Sequence, residues 1–275
     1  MRVFVIIVVY NGMKWLGRCL ESLRSSDMPV EVVAVDNAST DGSVQFIENN
    51  YPQVHLIRSN NNLGFGAANN RGIKHALDQQ ADCVFLLNQD AWVEQGTIRK
   101  LVNIHRAHQD FGIISPVHLN GAGDALDKNF QWYVNQFADK YCSDLVLGTV
   151  QDIYECSFVN AAAWLIPTAT LQKIGGFDPL FYHYGEDENY CQRIYYHGKK
   201  IGFVPEAKIC HDRENRPVQQ EKFDPGKMWR QIMVQLANVN EKPSSSFSRL
   251  FKRVSKLFCV YAIRLNFKAA FSCLT

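Results

Sequence analysis

The chain has 275 residues, enough for one large α/β domain or two small ones, and its 47% hydrophobic and 20% charged residues are typical of globular proteins. Its net charge of +2 is unevenly spread, because six Lys and Arg and no acidic residue follow position 246. The first 246 residues therefore hold 23 basic and 27 acidic residues, a net charge of −4. A body of this charge argues against a protein that binds nucleic acid.

The eight cysteines are scattered singly, without a Cys-x-x-Cys pair or a spacing typical of zinc sites. Cys83 and Cys210 fall in apolar stretches, where cysteine usually acts as a small buried hydrophobic residue, and this pattern favours a reducing compartment. The apolar stretch 3–9 is too short for a signal peptide, and no window reaches the ~20 apolar residues of a membrane span. We therefore expect a cytoplasmic protein.

Apolar strand patterns alternate with amphipathic helix patterns through the first third of the chain. The predicted elements are strands at 3–10, 30–35, 54–57 and 83–87 and helices at 13–25, around Val44 to Ile47 after a cap at Thr40 or Asp41, and at 67–77. Alternation of this kind predicts parallel strands with right-handed crossovers. The expected fold class is α/β, with a mostly parallel sheet flanked by helices.

The second part of the chain is less regular. The predicted helices are at 94–108, at 186–197 and at 228–237, with a short helix capped by Thr168. The predicted strands are at 112–117, 158–166, 201–204 and 207–210, with a hairpin at 130–138. Loops are predicted at 121–129 and 140–148, and a turn at 175–179. We therefore predict a domain at 1–240, composed of a nucleotide-binding half (1–92) and an acceptor and catalytic half (93–240). A linker at 241–246 and a tail at 247–275 follow.

The tail places apolar residues such as Leu250, Val254 and Leu257 at helical spacing, with basic residues between them. This pattern predicts a basic amphipathic helix. Such a helix can lie on an anionic membrane surface, or it can pack on the domain or on a second subunit.

Each strand of the first half ends in polar residues, namely Tyr10-Asn11, Asp36-Asn37, Asn60 to Asn62, and Asn88-Gln89-Asp90. In open α/β sheets, ligands bind beyond the carboxyl ends of the strands. The sequence therefore predicts a polar ligand site at this edge, of the kind that a nucleotide needs.

Six motifs occur in order along the chain: Val-Val-Tyr-Asn-Gly (8–12), Val-Asp-Asn-Ala-Ser-Thr-Asp-Gly-Ser (35–43), Asn-Leu-Gly-Phe-Gly-Ala-Ala-Asn-Asn-Arg-Gly-Ile (62–73), Leu-Leu-Asn-Gln-Asp (86–90), Gly-Gly-Phe-Asp-Pro-Leu-Phe-Tyr-His-Tyr-Gly-Glu-Asp-Glu-Asn-Tyr-Cys-Gln-Arg (175–193) and Val-Pro-Glu-Ala-Lys-Ile-Cys-His (204–211). Together they resemble family 2 glycosyltransferases of the GT-A fold, of the rhamnosyltransferase-like kind. The resemblance covers residues 3–211. It implies an inverting enzyme that moves a sugar from a UDP- or dTDP-sugar to a cell-surface polysaccharide or lipid-linked saccharide, at the inner face of the membrane if the tail binds lipid.

The resemblance assigns the nucleotide-sugar to residues at the strand ends and in the glycine-rich turn: Tyr10, Asn11, Asp36, Gly66, Asn69, Arg71 and Asn88. Tyr10 would meet a pyrimidine base, and Asp36 would accept its imide N–H. Gly64 and Gly66 allow a close approach of backbone to ligand, and Asn69 and Arg71 follow near a helix start. The competing interpretations are a helix-capping Asp36, although Asp41 is better placed to cap, and a solvated Arg71.

Asp90 matches the last Asp of the family's Asp-x-Asp motif, which binds Mg²⁺ or Mn²⁺. The sequence departs from this motif, because position 88 is Asn and brings no charge. His211 ends a short strand where related enzymes place a metal-binding histidine. We therefore expect a divalent metal at Asp90 and His211; the alternative for a lone histidine is a structural role.

Asp187 matches the Asp of the family's Glu-Asp motif and is the expected general base, since an acceptor hydroxyl must lose a proton to attack. Glu186 and Glu188 are alternatives, and all three acids also suit the first turn of a helix. Arg193 would pair with an acid or with the diphosphate. Tyr182, His183 and Tyr184 are candidates for stacking on sugars, whereas Trp164 lies in an apolar stretch typical of a core.

Two other functions also fit parts of this pattern. A nucleotidyltransferase shares this kind of sheet, but would carry a Gly-rich, basic signature after the first strand, which Asn11-Gly12-Met13-Lys14 matches poorly. A non-catalytic nucleotide-sugar-binding module would bind nucleotide without turnover and would be indifferent to Asp187→Asn.

Overall fold

A computed structural model of the chain describes residues 1–213 and 225–263. Its strands are β1 (Val3–Val9), β2 (Glu31–Asp36), β3 (His55–Arg58), β4 (Cys83–Leu87), β5 (Ala91–Val93), β6 (Phe111–Asn120), β7 (Tyr154–Glu155), β8 (Ala163–Pro167) and β9 (Lys200–His211). Its helices are α1 (Met13–Arg24), α2 (Ser43–Asn50), α3 (Phe65–Asp78), α4 (Thr97–Ala107), α5 (Lys128–Phe137), α6 (Asp139–Leu147), α7 (Thr168–Ile174), α8 (Glu186–Tyr196), α9 (Pro225–Leu236) and α10 (Pro243–Ile263). The α/β class is confirmed.

Within the described residues, all the strands join one sheet in the order β3-β2-β1-β4-β8-β6-β9-β5, with β7 paired to β9. The first four strands are parallel, as predicted, and β1 and β4 are buried along almost their whole length. Continuous burial on both faces explains their uninterrupted apolar runs.

The parallel arrangement of the first four strands does not continue through the second half, where the sheet is mixed. β8 runs antiparallel to both β4 and β6, and β9 is parallel to β6 but antiparallel to β5 and β7. The reversal occurs because the chain leaves β6 through α5 and α6 and then returns to place β8 between β4 and β6. Such an inserted strand carries no local signal of its direction.

The region predicted as a hairpin at 130–138 and a loop at 140–148 is instead helical, as α5 and α6. The Asp127 side chain caps α5 by accepting the N–H groups of Asn129 and Phe130, at 3.0 and 2.9 Å. Phe130 and Val134, one turn apart, are both buried. The cap and this spacing were signals for a helix, but the run of aromatic residues resembled a strand.

Smaller corrections concern helix caps and strand ends. Thr168 does not cap α7; the N-cap residue is Pro167, and the Thr168 hydroxyl donates to the Ala81 carbonyl. The two strands predicted at 201–204 and 207–210 are parts of one strand, β9. Both parts pair with β6, and residues 205–207 between them form a bulge that β6 does not pair with. Strand β5 was not predicted, since three buried residues carry no periodicity.

Helices cover both faces of the sheet. The apolar sides of α1, α2 and α4 pack on one face, and those of α3, α5, α7 and α8 pack on the other. The carboxyl ends of β1, β2 and β4 are left uncovered between these layers, as the crossovers of parallel strands require.

The tail begins as a helix earlier than predicted, because α10 starts at Pro243 and takes in part of the predicted linker at 241–246. α10 packs against α9, where the Gln235 side chain donates to the Ser246 carbonyl and Ser246 is buried. Phe247 and Phe251 are 63% and 75% exposed. Residues 264–275 of the predicted tail lie outside the described residues. Across 1–213 and 225–263, no helix combines the length and apolar character that a membrane crossing needs.

Candidate functional site

A cavity of about 500 Å³ opens at the carboxyl ends of β1, β2 and β4. Four of the predicted site residues line it together: Tyr10, Asn11, Asn88 and Asp90. Further lining side chains come from α1, from the loops after β2 and β3, and from the segment before α8: Trp15, Asn37, Asn62, Tyr182 and His183. The aromatic residues Tyr182 and His183 therefore face the cavity, whereas Trp164 is fully buried in the core, as its apolar stretch indicated.

The wall after β1 is held by Gln89. The Tyr10 N–H donates to the Gln89 side chain at 2.9 Å, and the Gln89 amide donates to the Tyr10 carbonyl at 3.0 Å. Asn11 adopts a positive φ of 48°, and its side chain accepts the Thr40 N–H at 2.8 Å. Backbone contacts thus fix this corner while the Tyr10 ring stays 47% exposed at the cavity. Sequence reasoning missed Gln89, although it lies inside the 86–90 motif.

Asp36 is buried at the end of β2 and does not line the cavity. Its carboxylate accepts the Ser39 N–H at 3.1 Å. Asn37, which is itself buried, and Asn62 line the cavity instead and are joined by a 2.9 Å amide hydrogen bond. Each also accepts a backbone N–H from the glycine-rich turn, from Leu63 and Gly64 respectively. The first residue of the Asp-Asn pair therefore braces the loop, and the second lines the cavity.

Gly64 rather than Gly66 borders the cavity. It has a φ of 81°, and the Tyr182 carbonyl oxygen occupies the space that a Cβ would take. Gly66 packs in the first turn of α3 against Phe177 and Glu186. Only glycine at position 64 lets the segment before α8 close over this end of the cavity.

The other predicted contacts from α3 lie outside the cavity wall. The buried Asn69 amide donates to the Phe65 carbonyl at 3.0 Å within the helix. Arg71 is exposed and donates to the Ser59 hydroxyl at 3.0 Å, just beyond β3. Asn70, which sequence reasoning did not single out, ties α3 to the 175–179 turn through two 2.8 Å hydrogen bonds with the Phe177 backbone.

Asp90 and His211 are brought together as predicted. The pairing of β5 with β9 places Ala91 opposite His211, and the Asp212 N–H donates to the Asp90 carbonyl at 2.9 Å. The His211 Nε2 atom lies 3.2 Å from Asp90 Oδ1, yet it is not aligned as a hydrogen bond, and its Nδ1 atom has no partner. Both side chains are buried.

This pair fits a divalent cation bound through few protein ligands. No cluster of three or more His, Cys, Asp or Glu side chains in the described part of the chain is placed to hold a metal. Mg²⁺ and Mn²⁺ bound to phosphates usually take one or two carboxylates and complete their shell with water and phosphate oxygens. A carboxylate and an imidazole that face each other without a hydrogen bond supply two such ligands.

A second histidine lies behind this pair. The ring of buried His118 stands edge-on to His211, with 6.2 Å between ring centroids, and its Nε2 atom is 3.1 Å from the Ser115 hydroxyl. Burial holds the pKa of His118 well below its ordinary value, helped by the neighbouring His211 and Arg213. Sequence reasoning missed His118 because nothing in the β6 pattern separates it from other strand residues.

Asp187 and Glu186 open α8 after Gly185, whose φ is 95°. Glu186 is buried with its Oε2 atom unpartnered, and burial raises its pKa to about 7, with a further rise from the Asp187 charge. Burial also raises the pKa of Asp187, while N–H groups of Glu188 and Ala161 and the charge of Arg213 act to lower it. Two adjacent acids with perturbed pKa values are typical of sites that move protons.

Arg193, predicted to pair with an acid or a diphosphate, instead donates to the backbone carbonyls of Ile174 and Gly176 and stacks on Tyr190. It therefore joins α8 to the end of α7. Arg213, which sequence reasoning missed, is the cation whose charge reaches both Asp187 and His118. Its Nη1 atom is buried without a hydrogen-bond partner.

Comparison with known proteins identifies the family and relatives of this chain. Residues 4–175 match the model of the family described as glycosyl transferase family 2. The chain is 26% identical over 225 residues to the low-salt glycan biosynthesis hexosyltransferase Agl10 of Haloferax volcanii, covering 82% of this chain and 70% of that protein. It is 25% identical over 234 residues to the N-acetylglucosaminyl-diphospho-decaprenol L-rhamnosyltransferase of Mycobacterium tuberculosis, covering 76% and 75%.

Among solved structures, S. aureus TarS 1–349 in complex with UDP-GlcNAc is similar with a TM-score of 0.63 and 18% sequence identity. The similarity covers 90% of this chain and 69% of that one. At this identity the likeness establishes the fold.

Proposed function

This chain belongs to glycosyl transferase family 2, and on that premise we propose that it transfers a sugar from a UDP- or dTDP-sugar to a hydroxyl of a polysaccharide or lipid-linked saccharide, with inversion. It is a glycosyltransferase with the GT-A fold that the motifs implied. The observation that carries the finer proposal is the cavity that gathers Tyr10, Asn88 and Asp90 at one sheet edge, with His211 beside Asp90.

The donor nucleotide would occupy this cavity. The exposed Tyr10 ring would pack on a pyrimidine, and the cavity-lining amides of Asn62 and Asn88 would meet the base and ribose. Asp36 and Arg71 would act at the rim or through the loops that they brace, since neither lines the cavity.

Asp90 and His211 would hold a divalent cation, whose positive charge neutralises the diphosphate leaving group when it is bound. Asn88 would contribute a neutral oxygen to the ribose or to a bound water. Because position 88 of the motif is Asn and not Asp, we expect a cation that binds weakly until the diphosphate completes its shell.

Asp187 would act as the general base. It would accept the proton of the acceptor hydroxyl as that oxygen attacks the anomeric carbon on the face opposite the diphosphate. Its hydrogen bonds from backbone N–H groups and the nearby Arg213 charge favour the ionised form that a base needs, whereas Glu186 has no such support at Oε2. Glu186 remains the alternative base.

The acceptor class rests on the relatives. The names of two of them describe glycan biosynthesis and transfer to a diphospho-decaprenol-linked sugar. A lipid-linked acceptor would place the enzyme at a membrane surface, and we propose the cytoplasmic face because the donors are made in the cytoplasm and the exposed aromatic residues of α10 alternate with basic ones.

A donor panel of UDP- and dTDP-sugars, assayed for nucleoside diphosphate release, tests this function. Wild type should turn over one donor with Mn²⁺ and lose most activity in EDTA. Asp187→Asn should reduce kcat by about 10²- to 10⁴-fold while donor affinity is kept. Asp90→Asn should abolish the response to Mn²⁺, whereas Glu186→Gln should leave it intact.

The rival functions give different results in the same assay. A nucleotidyltransferase would consume nucleoside triphosphate and release pyrophosphate. A non-catalytic module would bind nucleotide without turnover in wild type and in Asp187→Asn alike. Turnover of a nucleotide-sugar that survives Asp187→Asn and fails in Glu186→Gln would reassign the base to Glu186.

A further inference from the structure

A second cavity, of about 600 Å³, lies between α5 and α8 on the side of the sheet that carries Asp187. Its apolar wall consists mainly of the aromatic residues Trp132, Phe137, Phe158 and Tyr195. Its polar rim consists of Glu188, Gln192, Asn238 and Asn240. We refer to this cavity as the α5–α8 groove.

The groove begins beside the proposed base. Glu188 follows Asp187 directly, and Glu188, Gln192 and Tyr195 lie on successive turns of one side of α8, a span of roughly 10 Å. The Asp187 charge also adds to the rise in the pKa of Tyr133, which is caused first by burial, and the Tyr133 ring packs on Phe158 in the groove wall. The Glu188 end of the groove is therefore the end nearer to Asp187 along α8.

Trp132 forms an exposed and braced platform. Its ring is 54% exposed and stands edge-on to the rings of Tyr133 and Phe137, at centroid distances of 5.6 and 5.7 Å. Tyr133 in turn stands edge-on to Phe158, at 4.9 Å. A ring held in this way can receive the apolar C–H face of a sugar with little loss of conformational entropy.

The polar rim is neutral apart from one carboxylate. The Gln192 Oε1 atom is buried without a hydrogen-bond partner, and Asn240 donates to the Gln192 carbonyl at 2.7 Å, so the turn after α9 is fixed against α8. Among the described residues that line the groove there is no Lys or Arg. This set suits hydroxyl and acetamido groups and disfavours phosphate or another anion.

Resting on the sugar transfer proposed above, we propose that the α5–α8 groove binds a neutral saccharide unit of the acceptor, with a pyranose face on Trp132 and its hydroxyls on the amide rim. The donor sugar, bound in the cavity at the sheet edge, would then present its anomeric carbon. The groove would hold the acceptor so that its hydroxyl reaches Asp187. Its aromatic wall and neutral rim match an uncharged sugar better than the diphosphate of a lipid carrier.

The first test measures binding without turnover. Calorimetric titration of the protein, with UDP present, by methyl and octyl glycosides of glucose, galactose, N-acetylglucosamine and rhamnose should show saturable binding. Trp132→Ala should weaken the binding by about three- to tenfold, and Trp132→Phe should retain most of it. The control Trp229→Ala, an exposed tryptophan on α9 outside the groove, should bind as wild type does.

The second test uses turnover. With the active donor, Trp132→Ala should raise the acceptor KM and leave the donor KM and the slow transfer to water unchanged. Ser157→Trp, which adds bulk at an exposed groove position without emptying the core, should do the same and covers the case in which Trp132→Ala does not fold.

Three results would overturn the assignment to a saccharide: no glycoside binding to wild type, equal binding by wild type and both groove variants, or equal binding of octanol and octyl glycosides, which would indicate a lipid chain. Failure of the proposed function would give a different result from failure of the groove assignment. In that case wild type would release no nucleoside diphosphate from any donor, whether or not the glycosides bind.

Discussion

At the residue scale, the protonation of Asp187 depends on opposing influences. Burial raises its pKa, and the N–H groups of Glu188 and Ala161 and the charge of Arg213 limit that rise. As the proposed base, Asp187 must be ionised to accept a proton, so these hydrogen bonds and this charge would set the acidic limit of activity. Burial raises the pKa of the neighbouring Glu186 to about 7, and the Asp187 charge adds to that rise.

Arg213→Gln should therefore move the acidic limb of the pH–rate profile to higher pH. Removal of the cation leaves burial less opposed, so the pKa of Asp187 rises further and the fraction of ionised base falls at each acidic pH. Measurement of kcat between pH 5 and 9 for both proteins checks this. Arg193→Gln, in which the lost guanidinium contacts backbone carbonyls at α7, is the control and should keep the wild-type profile; a profile that is unchanged in Arg213→Gln contradicts the argument.

At the element scale, the approach of the glycine-rich turn to the segment before α8 closes one end of the donor cavity. Gly64 has a positive φ and meets the Tyr182 carbonyl, and the Tyr182 hydroxyl donates to the Asn62 carbonyl at 3.2 Å. The glycine-rich turn and the segment before α8 are far apart in sequence but touch at these two contacts. The shape of the cavity depends on both.

Gly64→Ala should destabilise the fold and weaken nucleotide binding together. An alanine at positive φ costs about 1–2 kcal/mol, and the overlap with a backbone carbonyl adds about 1–3 kcal/mol. Gly175→Ala is the matched control, since Gly175 has nearly the same backbone angles as Gly64 (φ 85° and ψ −171°, against 81° and 172°) but has open space where its Cβ would lie. Urea unfolding and UDP titration of both variants should show the smaller loss of stability and unchanged UDP affinity for Gly175→Ala; equal losses would contradict the contact argument.

The β3–α3 contact carries a stacked histidine pair outside the proposed site. The rings of His55 and His75 are 3.9 Å apart and nearly parallel, and burial, followed by His55, lowers the pKa of His75. Because the pKa of His75 is lower in the folded protein than in the unfolded chain, the unfolded chain binds the proton first as the pH falls below ~6.5. This proton uptake lowers the free energy of unfolding at acidic pH, whereas above pH ~6.5 the pair has no such effect.

His75→Gln should consequently reduce the loss of stability between pH 7 and pH 5. Thermal unfolding at both pH values measures this, and the variant should show a smaller drop in Tm than wild type. His197→Gln, at the end of α8, serves as the control and should behave as wild type does. A drop in Tm that is the same in all three proteins would show that the pair does not sense pH.

At the scale of the whole molecule, a net positive charge and exposed aromatic residues occur together in α10. α10 packs on α9 through the segment around Ser246 and leaves Phe247 and Phe251 exposed, with Arg249 and Lys252 among them. This arrangement is compatible with both uses of the tail: one side contacts the domain, and another remains for a membrane or a second subunit.

The membrane interpretation predicts that the protein sediments with anionic vesicles and not with neutral ones, and that salt weakens the binding. The double variant Phe247→Ser/Phe251→Ser should no longer sediment with the vesicles. Its turnover of the donor, assayed with an acceptor dissolved in detergent, should equal that of wild type. Trp132→Ala, which removes an exposed aromatic residue on α5, is the control and should sediment as wild type does. Equal sedimentation of all proteins, or a shift from dimer to monomer in the double variant, would favour contact with a second subunit.

The sequence by itself determined the strands and the polar residues that end them. Val3 to Val9 and Cys83 to Leu87 are buried on both faces, so their apolar runs are local and unmistakable, and parallel connection then sends their polar ends to one edge. The motifs at these ends were enough to indicate the family. The direction of β8 was not predictable in this way, because a strand inserted after a long excursion carries no local signal of its direction. Helix α5 did carry a local signal in the Asp127 cap and the spacing of Phe130 and Val134, but its aromatic residues also suit a strand.

Only the tertiary structure decided which side chains meet. Asp90 lies against His211 because β5 pairs with β9, and Asp187 lies within reach of Arg213 because α8 and the end of β9 converge at the same edge. It also decided that Asn37 lines the cavity while Asp36 braces a loop, although the two are neighbours in one motif. Sequence patterns report burial and backbone conformation within an element, whereas contacts between elements depend on strand order and register, which no short stretch of sequence encodes.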